Sequence, residues 1–421
     1  MKKLLILLFL SNIFIVEAFC QAIKVELKSV KGQQVLYRDG APFYIKGAAG
    51  INYMVKLKSY GGNSIRLWNT DNAGQYLDSA HKLGLAVTLG VFLQAERMGF
   101  DYNNTIEVQK QKDFIRSEVM KYKDHPALLM WGIGNEVELG SSNPKVWHAI
   151  NDISKMIHEL DSNHLTTTML AGVPLERMPE IIKYAEDLDI LSVNAFKDLP
   201  NVPDKIAMSG WKKPYIISEF GSDGYWETQQ TKWKTFYEST STEKAKQYRQ
   251  RYQQVILANA DKCLGSYVFF WGQKQERTHT YFSMFLEEGK ETESIDVMQF
   301  MWTGKWPDDC APQVKSLIVN NKKIEKDIYL KRGSSNTAIV NIVGQNNGSV
   351  KYYWELYYES TDLRNDGKGE EKPDLIMDAI DNVSVHEINF KAPDKPGAYR
   401  LFVTLYKNNK VATANMPFYV N

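Results

Sequence analysis

Two glutamates each close an apolar run: Glu136 in Leu128-Leu-Met-Trp-Gly-Ile-Gly-Asn-Glu136 and Glu219 in Tyr215-Ile-Ile-Ser-Glu-Phe-Gly221. A carboxylate at the point where a buried strand meets a loop is poorly solvated, so its pKa moves readily and it suits acid–base or nucleophilic work. Two of them point to glycoside chemistry, in which one carboxylic acid protonates the leaving oxygen and one carboxylate attacks the sugar or activates water.

Such residues need a frame to bring them together. Tyr44–Ala48, Ser64–Trp68, Ala86–Leu93, Leu128–Ile133, Thr166–Leu170, Ile190–Val193, Tyr215–Ser218 and Ser266–Trp271 are eight short apolar runs. Between them lie stretches of helical period, among them Val108–Lys121, Val146–Leu160, Met178–Tyr184 and Thr242–Asn259. Strand and helix in alternation demand parallel pairing with right-handed crossovers, and eight strands are the count of a closed (β/α)8 TIM barrel. An open doubly wound sheet is the alternative, but no glycine-rich dinucleotide loop follows the first run.

In such a barrel the chemistry sits at the C-terminal strand ends. The second strand ends in Arg66-Leu-Trp68-Asn69, the third runs into Gln94 to Tyr102, and the fourth ends in Asn135-Glu136. The sixth ends in Asn194-Ala-Phe196, the seventh in Glu219, and the eighth in Trp271-Gly-Gln273-Lys-Gln-Glu-Arg277. The two glutamates stand about three strand–helix units apart, on strands four and seven, facing each other across the mouth. Carboxyl groups ~5–5.5 Å apart give double displacement with retention and ~6.5–9.5 Å leaves room for water and inversion; retention is the expectation. A fixed Arg66 cation keeps a neighbouring carboxylate ionised.

Plainer readings stand beside these. Arg66 also suits a structural ion pair, and Trp271 in Phe269-Phe-Trp271 also suits the core. Glu96, Arg97 and Asp101 read as a solvated loop face, and His81, His125, His148 and His164 lack metal-ligand spacing and read as structural. Tyr225 and Trp226, directly after the strand-seven glutamate, read as stacking surfaces for a sugar.

The residues Gly134-Asn-Glu136, Ser218-Glu-Phe-Gly221, Arg66, Asp189-Ile-Leu-Ser-Val-Asn194 and Trp271 together resemble the barrel of the large clan of retaining β-glycosidases. The resemblance spans roughly Phe43 to Pro307 and is closest to the catalytic domains of family 2, with family 5 the next comparison. It implies Glu136 as general acid/base, Glu219 as nucleophile, Asn135 at the sugar 2-hydroxyl, Arg66 positioning the nucleophile and Trp271 as the floor under the glycone. Two departures matter. The clan commonly has a tyrosine where Phe196 stands, which leaves Tyr225 or Tyr281 to supply that hydroxyl. Family 2 enzymes also carry jelly-roll and sandwich domains before the barrel, where this chain has a short hairpin.

The flanks complete the plan. Met1–Ala22 pairs a Met-Lys-Lys start with an apolar run shorter than a membrane span, which reads as an export signal rather than an integral membrane helix. Residues 23–43 read as a β-hairpin leading into a barrel over 44–307. Residues 312–421 alternate apolar and polar, with turns at Asn346–Gly348 and Asp394–Gly397, and read as a C-terminal immunoglobulin-like or fibronectin-like β-sandwich whose strands include Ser384–Phe390. With 51 basic against 50 acidic residues the chain shows no nucleic-acid footprint, and the expected partner is a neutral β-linked oligosaccharide or polysaccharide, with no metal and no cofactor. Cys263 and Cys310 leave a disulfide open. Two rivals remain: a carbohydrate-binding barrel without catalysis, and a lyase or aldolase, for which Lys46 and Lys197 are the nearest Schiff-base candidates.

Overall fold

The computed structural model describes residues 21–323, 326–344, 349–364, 369–377, 379–380 and 385–421. The leader reading over Met1–Ala22, except its last two residues, lies outside these, as do the turn Asn346–Gly348 and Ser384.

Eight parallel strands close a barrel: β1 (Ile45–Ala49), β2 (Ser64–Leu67), β3 (Ala86–Val91), β4 (Leu128–Asn135), β5 (Leu165–Ala171), β6 (Ile190–Asn194), β7 (Tyr215–Phe220) and β8 (Cys263–Val268). Gly265 to Val268 of β8 pair with Ile45 to Ala48 of β1, which removes the open-sheet alternative. The strands are buried on both faces, and this is why they read as unbroken apolar runs. Around them stand α1 (Met54–Ser59), α2 (Ala73–Lys82), α3 (Thr105–Tyr122), α4 (Lys145–Leu160), α5 (Met178–Tyr184), α6 (Val202–Ser209), α7 (Ser241–Arg251) and α8 (Glu293–Thr303). Their packing follows the sequence period. Helix α4 turns Val146, Ile150, Ile153 and Ile157 inward, while Thr240 and Glu243 cap α7 reciprocally.

One strand departs from the sequence reading. The run taken as Ser266–Trp271 begins three residues earlier and leaves the sheet at Phe269. Periodicity cannot separate a strand from an apolar segment that continues past it to face a site.

The hairpin Val25–Val30 with Gln33–Arg38 packs Val25 and Leu36 with Ile45, Ala86, Leu129, Ile190, Ile216 and Leu264, residues at or near the N-terminal strand ends. It therefore plugs the face opposite the strand exits. Val25 donates its backbone N–H to Asn163 O at 2.8 Å, and Arg38 donates to Pro126 O at 2.7 Å.

The C-terminal residues form two antiparallel sheets with their own core, a β-sandwich. One sheet holds Val314–Val319, Ser335–Ile342 and Glu387–Lys391; the other holds Lys351–Tyr358, Gly397–Lys407 and Lys410–Val420. The second sheet extends into the barrel unit, because Lys290–Thr292, in the connection from β8 to α8, pairs with Lys410 and Val411. Buried charges cross the same boundary. Glu291 accepts from Lys410 at 2.7 Å and from Lys56 of α1 at 2.6 Å, and Arg400 donates to Phe236 O at 2.8 Å. Cys263 is buried, Cys310 is exposed, and both are free thiols. Among the described residues no helix is long and apolar enough to cross a membrane.

Candidate active site

At the C-terminal mouth, Arg66 is the hub. Rising from β2 and almost wholly buried, it donates from Nη1 to Glu219 Oε1 at 2.7 Å and to Ser218 O at 3.0 Å, and from Nη2 to Asn135 Oδ1 at 2.6 Å. Trp68, just beyond β2, donates its indole N–H to the same Glu219 oxygen at 2.9 Å. Both are donors only, so Glu219 Oε1 is held as an acceptor from two sides. The expected tyrosine hydroxyl is thus replaced by an indole; Tyr281 packs instead in a cluster with Tyr225 and Phe282.

Asn194 touches Glu136 directly and reaches Glu219 by way of Arg66. Its Oδ1 accepts from Ser218 Oγ at 2.7 Å and from Arg66 Nη1 at 3.4 Å, while its Nδ2 donates to Glu136 Oε1 at 2.8 Å and to Asn135 Oδ1 at 3.2 Å. Glu136 accepts one neutral amide where Glu219 accepts a guanidinium and an indole. Desolvation, and next the charge of Glu219, push the Glu136 pKa above the ordinary carboxylate range; Asn194, Arg66 and Arg97 oppose the shift. The two carboxyl groups are therefore held differently, Glu219 by two charged or polar donors and Glu136 in a desolvated setting that raises its pKa.

The backbone that aims Glu136 is unusual. Gly134 has φ of 71° and Glu136 itself has φ of 51°, in the left-handed region that costs a side-chain-bearing residue about 1 kcal/mol or more. A Cβ at Gly134 would stand 2.9 Å from Val137 Cγ1, so glycine is required there twice over. The conformation is held from both ends: the Glu136 N–H donates to Met169 O at 2.8 Å, and its carbonyl accepts from Arg97. Beside Arg97, Glu96 accepts from Ser141 Oγ and Ser142 N, both at 2.8 Å, clamping the loop after β3 to the loop after β4. Glu96 and Arg97 thus fasten the two loops while Arg97 stays solvent-exposed, as the sequence reading has it; Asp101, also exposed, keeps to its own loop, accepting from Asn103 N at 2.8 Å. Sequence gave one weak signal, an adjacent opposite-charge pair just past a strand end.

The aromatic residues divide. Trp271, expected as the floor, is 0% exposed and packs on Phe285 and Trp302, in the layer between barrel and α8. Because the chain leaves the sheet at Phe269, the residue meeting the site is Phe269, edge-on to Trp68 at 6.2 Å and to Phe196 at 5.7 Å. Trp226 lies edge-on to Phe196 at 5.3 Å and keeps 55% of its surface exposed, with Tyr225 half-buried beside it. Gln273 is half-buried past Trp271, outside the Arg66–Asn194 network. If Trp271 is core, Trp271→Phe lowers stability by about 1–3 kcal/mol and leaves KM within about two-fold, whereas Phe269→Ala raises KM. Thermal melts alongside Michaelis kinetics decide it, and the opposite pattern returns Trp271 to the site.

Other candidates are engaged elsewhere. Lys46 donates to Trp302 O at 2.6 Å and Lys197 to Glu227 O at 3.1 Å, so neither is placed as a Schiff-base amine. His158 and His164 pair with Asp189 and Asp161, each at 2.8 Å. Among the described residues no group of three His, Cys, Asp or Glu side chains is placed to hold a metal ion.

Comparison with known proteins agrees with this fold. Residues 60–289 match the family model described as "Glycosyl hydrolases family 2, TIM barrel domain". A curated relative, mannan endo-1,4-beta-mannosidase A from Aspergillus aculeatus, is 27% identical over 146 residues, covering 28% of this chain and 38% of that protein. A calcium-binding mutant of Bacteroides uniformis beta-glucuronidase 2 superposes with a TM-score of 0.51 at 13% identity, covering 94% of this chain and 48% of the other. Ruminococcus gnavus beta-glucuronidase gives 0.52 at 14% identity, covering 67% and 53%. The chain thus spans about half the length of these solved structures or less than half of the curated relative, and at such identities the structural likeness speaks for the fold.

Proposed function

Since the chain belongs to glycosyl hydrolases family 2 through its TIM-barrel domain, we propose that it is a retaining β-glycosidase acting, by hydrolysis or transfer, on a neutral β-linked glycan. The observation that carries this is the differentiated pair: Glu219 held as acceptor by Arg66 and Trp68, and Glu136 with its pKa raised, the two bridged by Asn194 on Glu136 and Arg66 on Glu219. A Glu219 oriented by two donors suits direct attack on the sugar rather than activation of a water.

In the first step Glu219 attacks the anomeric carbon, the glycosidic C–O bond breaks, and the Glu136 proton passes to the departing oxygen. A covalent glycosyl ester of inverted configuration results. In the second step Glu136, now anionic, takes a proton from water or from an acceptor hydroxyl. That oxygen displaces Glu219, and the second inversion restores the β configuration. Asn135, held by Arg66, is in position to meet the 2-hydroxyl.

A neutral glycone is supported by how the cations round the mouth are used. Arg66 serves Glu219, Arg97 two backbone carbonyls, Lys274 Glu276, and Arg277 Glu370. Each of these cations thus already has a partner within the chain. The leader-like Met1–Ala22 supports export.

Proton NMR of the first product formed from β-mannan, β-glucan and β-galactan oligosaccharides tests the proposal. The expected first product is the β anomer; initial release of the α anomer, or inertness towards the whole panel, overturns it.

A further inference from the structure

We propose that Glu370, a residue of the C-terminal sandwich, positions an aromatic sugar-binding subsite at the barrel mouth built on Tyr225 and Trp226. The inference rests on the glycosidase reading for the class of ligand, an oligosaccharide. It adds that the second unit shapes the binding surface.

Glu370 is buried and grips one residue at two points. Its Oε2 accepts from the backbone N–H of Arg277 at 2.6 Å, and its Oε1 accepts from Arg277 Nη1 at 2.7 Å. Its own N–H donates to Gln275 O at 3.2 Å, docking the sandwich segment on the loop that follows β8. Arg277 is the tip of a tight turn in which Glu276 and Thr278 exchange backbone hydrogen bonds, and its φ of 62° is left-handed. A bidentate acceptor on both backbone and side chain suits the holding of such a conformation.

The fixed guanidinium lies over the Tyr225 ring, 4.1 Å from its centroid, a cation–π contact that sets the ring's plane. Tyr225 meets Trp226 edge-to-face at 4.9 Å. Trp226 meets Phe196, Phe196 meets Phe269, and Phe269 meets Trp68, whose indole donates to Glu219. One continuous run of contacts therefore joins a sandwich carboxylate to the proposed nucleophile. In that run Trp226 is the member more than half exposed, and a flat apolar face beside a polar mouth takes a sugar ring by stacking. With Phe196, Phe269 and Trp68 standing between it and Glu219 in that run, it serves a sugar beyond the one being cleaved, so it acts on chain length rather than on chemistry.

The test measures binding of mannohexaose, cellohexaose and a β-galactan hexamer to the full chain carrying Glu219→Gln, by titration calorimetry, with Trp226→Ala, Glu370→Ala and the double variant. Trp226→Ala alters an exposed residue and keeps the fold; circular dichroism monitors Glu370→Ala. Each single change is expected to weaken binding of the hexamer that the parent takes by about ten-fold, the scale of one stacking contact. The double variant is expected to be no weaker than Trp226→Ala alone, since both act through one platform. Unchanged binding in Glu370→Ala, additive losses, or no binding of any hexamer by the parent overturns the proposal. Turnover of an aryl β-glycoside by the unmodified chain is followed separately: its absence counts against the glycosidase reading, and the calorimetry still decides the subsite.

Discussion

Glu219→Gln abolishes turnover, with a loss on the order of 10⁴–10⁶ in kcat, the scale seen when a nucleophile is removed. Gln is the informative replacement because Arg66 is buried behind it and donates straight to Glu219 Oε1. An amide oxygen can still accept from Arg66 and from Trp68, so the chain keeps its fold and loses only the attacking anion. Ala would strand a buried guanidinium, a cost of about 3–5 kcal/mol. In that cavity, however, azide can enter and take over the attack. Glu136 still supplies its proton to the leaving oxygen, and a single displacement yields the glycosyl azide of inverted configuration. Chromatography and NMR of products from Glu219→Ala with azide therefore check the role as well as the identity. Wild-type rates in Glu219→Gln would remove this residue from the mechanism.

The second large effect is at Glu136. Glu136→Ala slows cleavage of unactivated glycosides by about 10²–10⁴, the usual contribution of a general acid–base group. Glycosides with acidic leaving groups are affected less in the first step, because they depart without a proton. The pH profile carries the sign. A general acid must be protonated, and desolvation together with the Glu219 charge raises the Glu136 pKa, so the protonated form persists above the usual carboxylate range. The falling limb of kcat/KM on the alkaline side is correspondingly displaced upward, and Glu136→Gln removes it. Glu138, two residues on, is the group to separate from it. Its buried carboxyl accepts from Ala171 N at 2.5 Å and is pushed up to about 7, chiefly by burial. An alkaline limb that survives in Glu136→Gln but moves in Glu138→Gln transfers the titration to Glu138.

The barrel was legible because its strands are buried on both faces and its helices on one, so two different periods alternate along the sequence. Glu136 and Glu219 were legible for the same reason: they are polar residues at the ends of runs that are otherwise apolar. Trp271 misled because an apolar run carries no mark where it leaves the sheet; three residues of overrun past Val268 carried the reading beyond Phe269 to Trp271. Arg97 and Glu370 could not be found that way. Their partners are Glu136 and Arg277, far off in the chain, and a charged residue in a loop has the same local pattern whether it faces water or a distant carbonyl. Nor does the triplet Lys290–Thr292 look like a strand, since its partner arrives only with Lys410 and Val411.

That last pairing bears on when the enzyme comes into being. A chain emerges from the ribosome N-terminus first and its units fold as they appear. All eight barrel strands are out long before the strand Lys410–Val420 exists. Yet the connection from β8 to α8, which carries Tyr281 and Phe282 to the aromatic wall, is tied to that strand through Glu291 and Thr292. The mouth is thus finished only once Lys410 and Val411 have been made, and a nascent barrel, however complete its strands, matures into a finished cleft after they arrive.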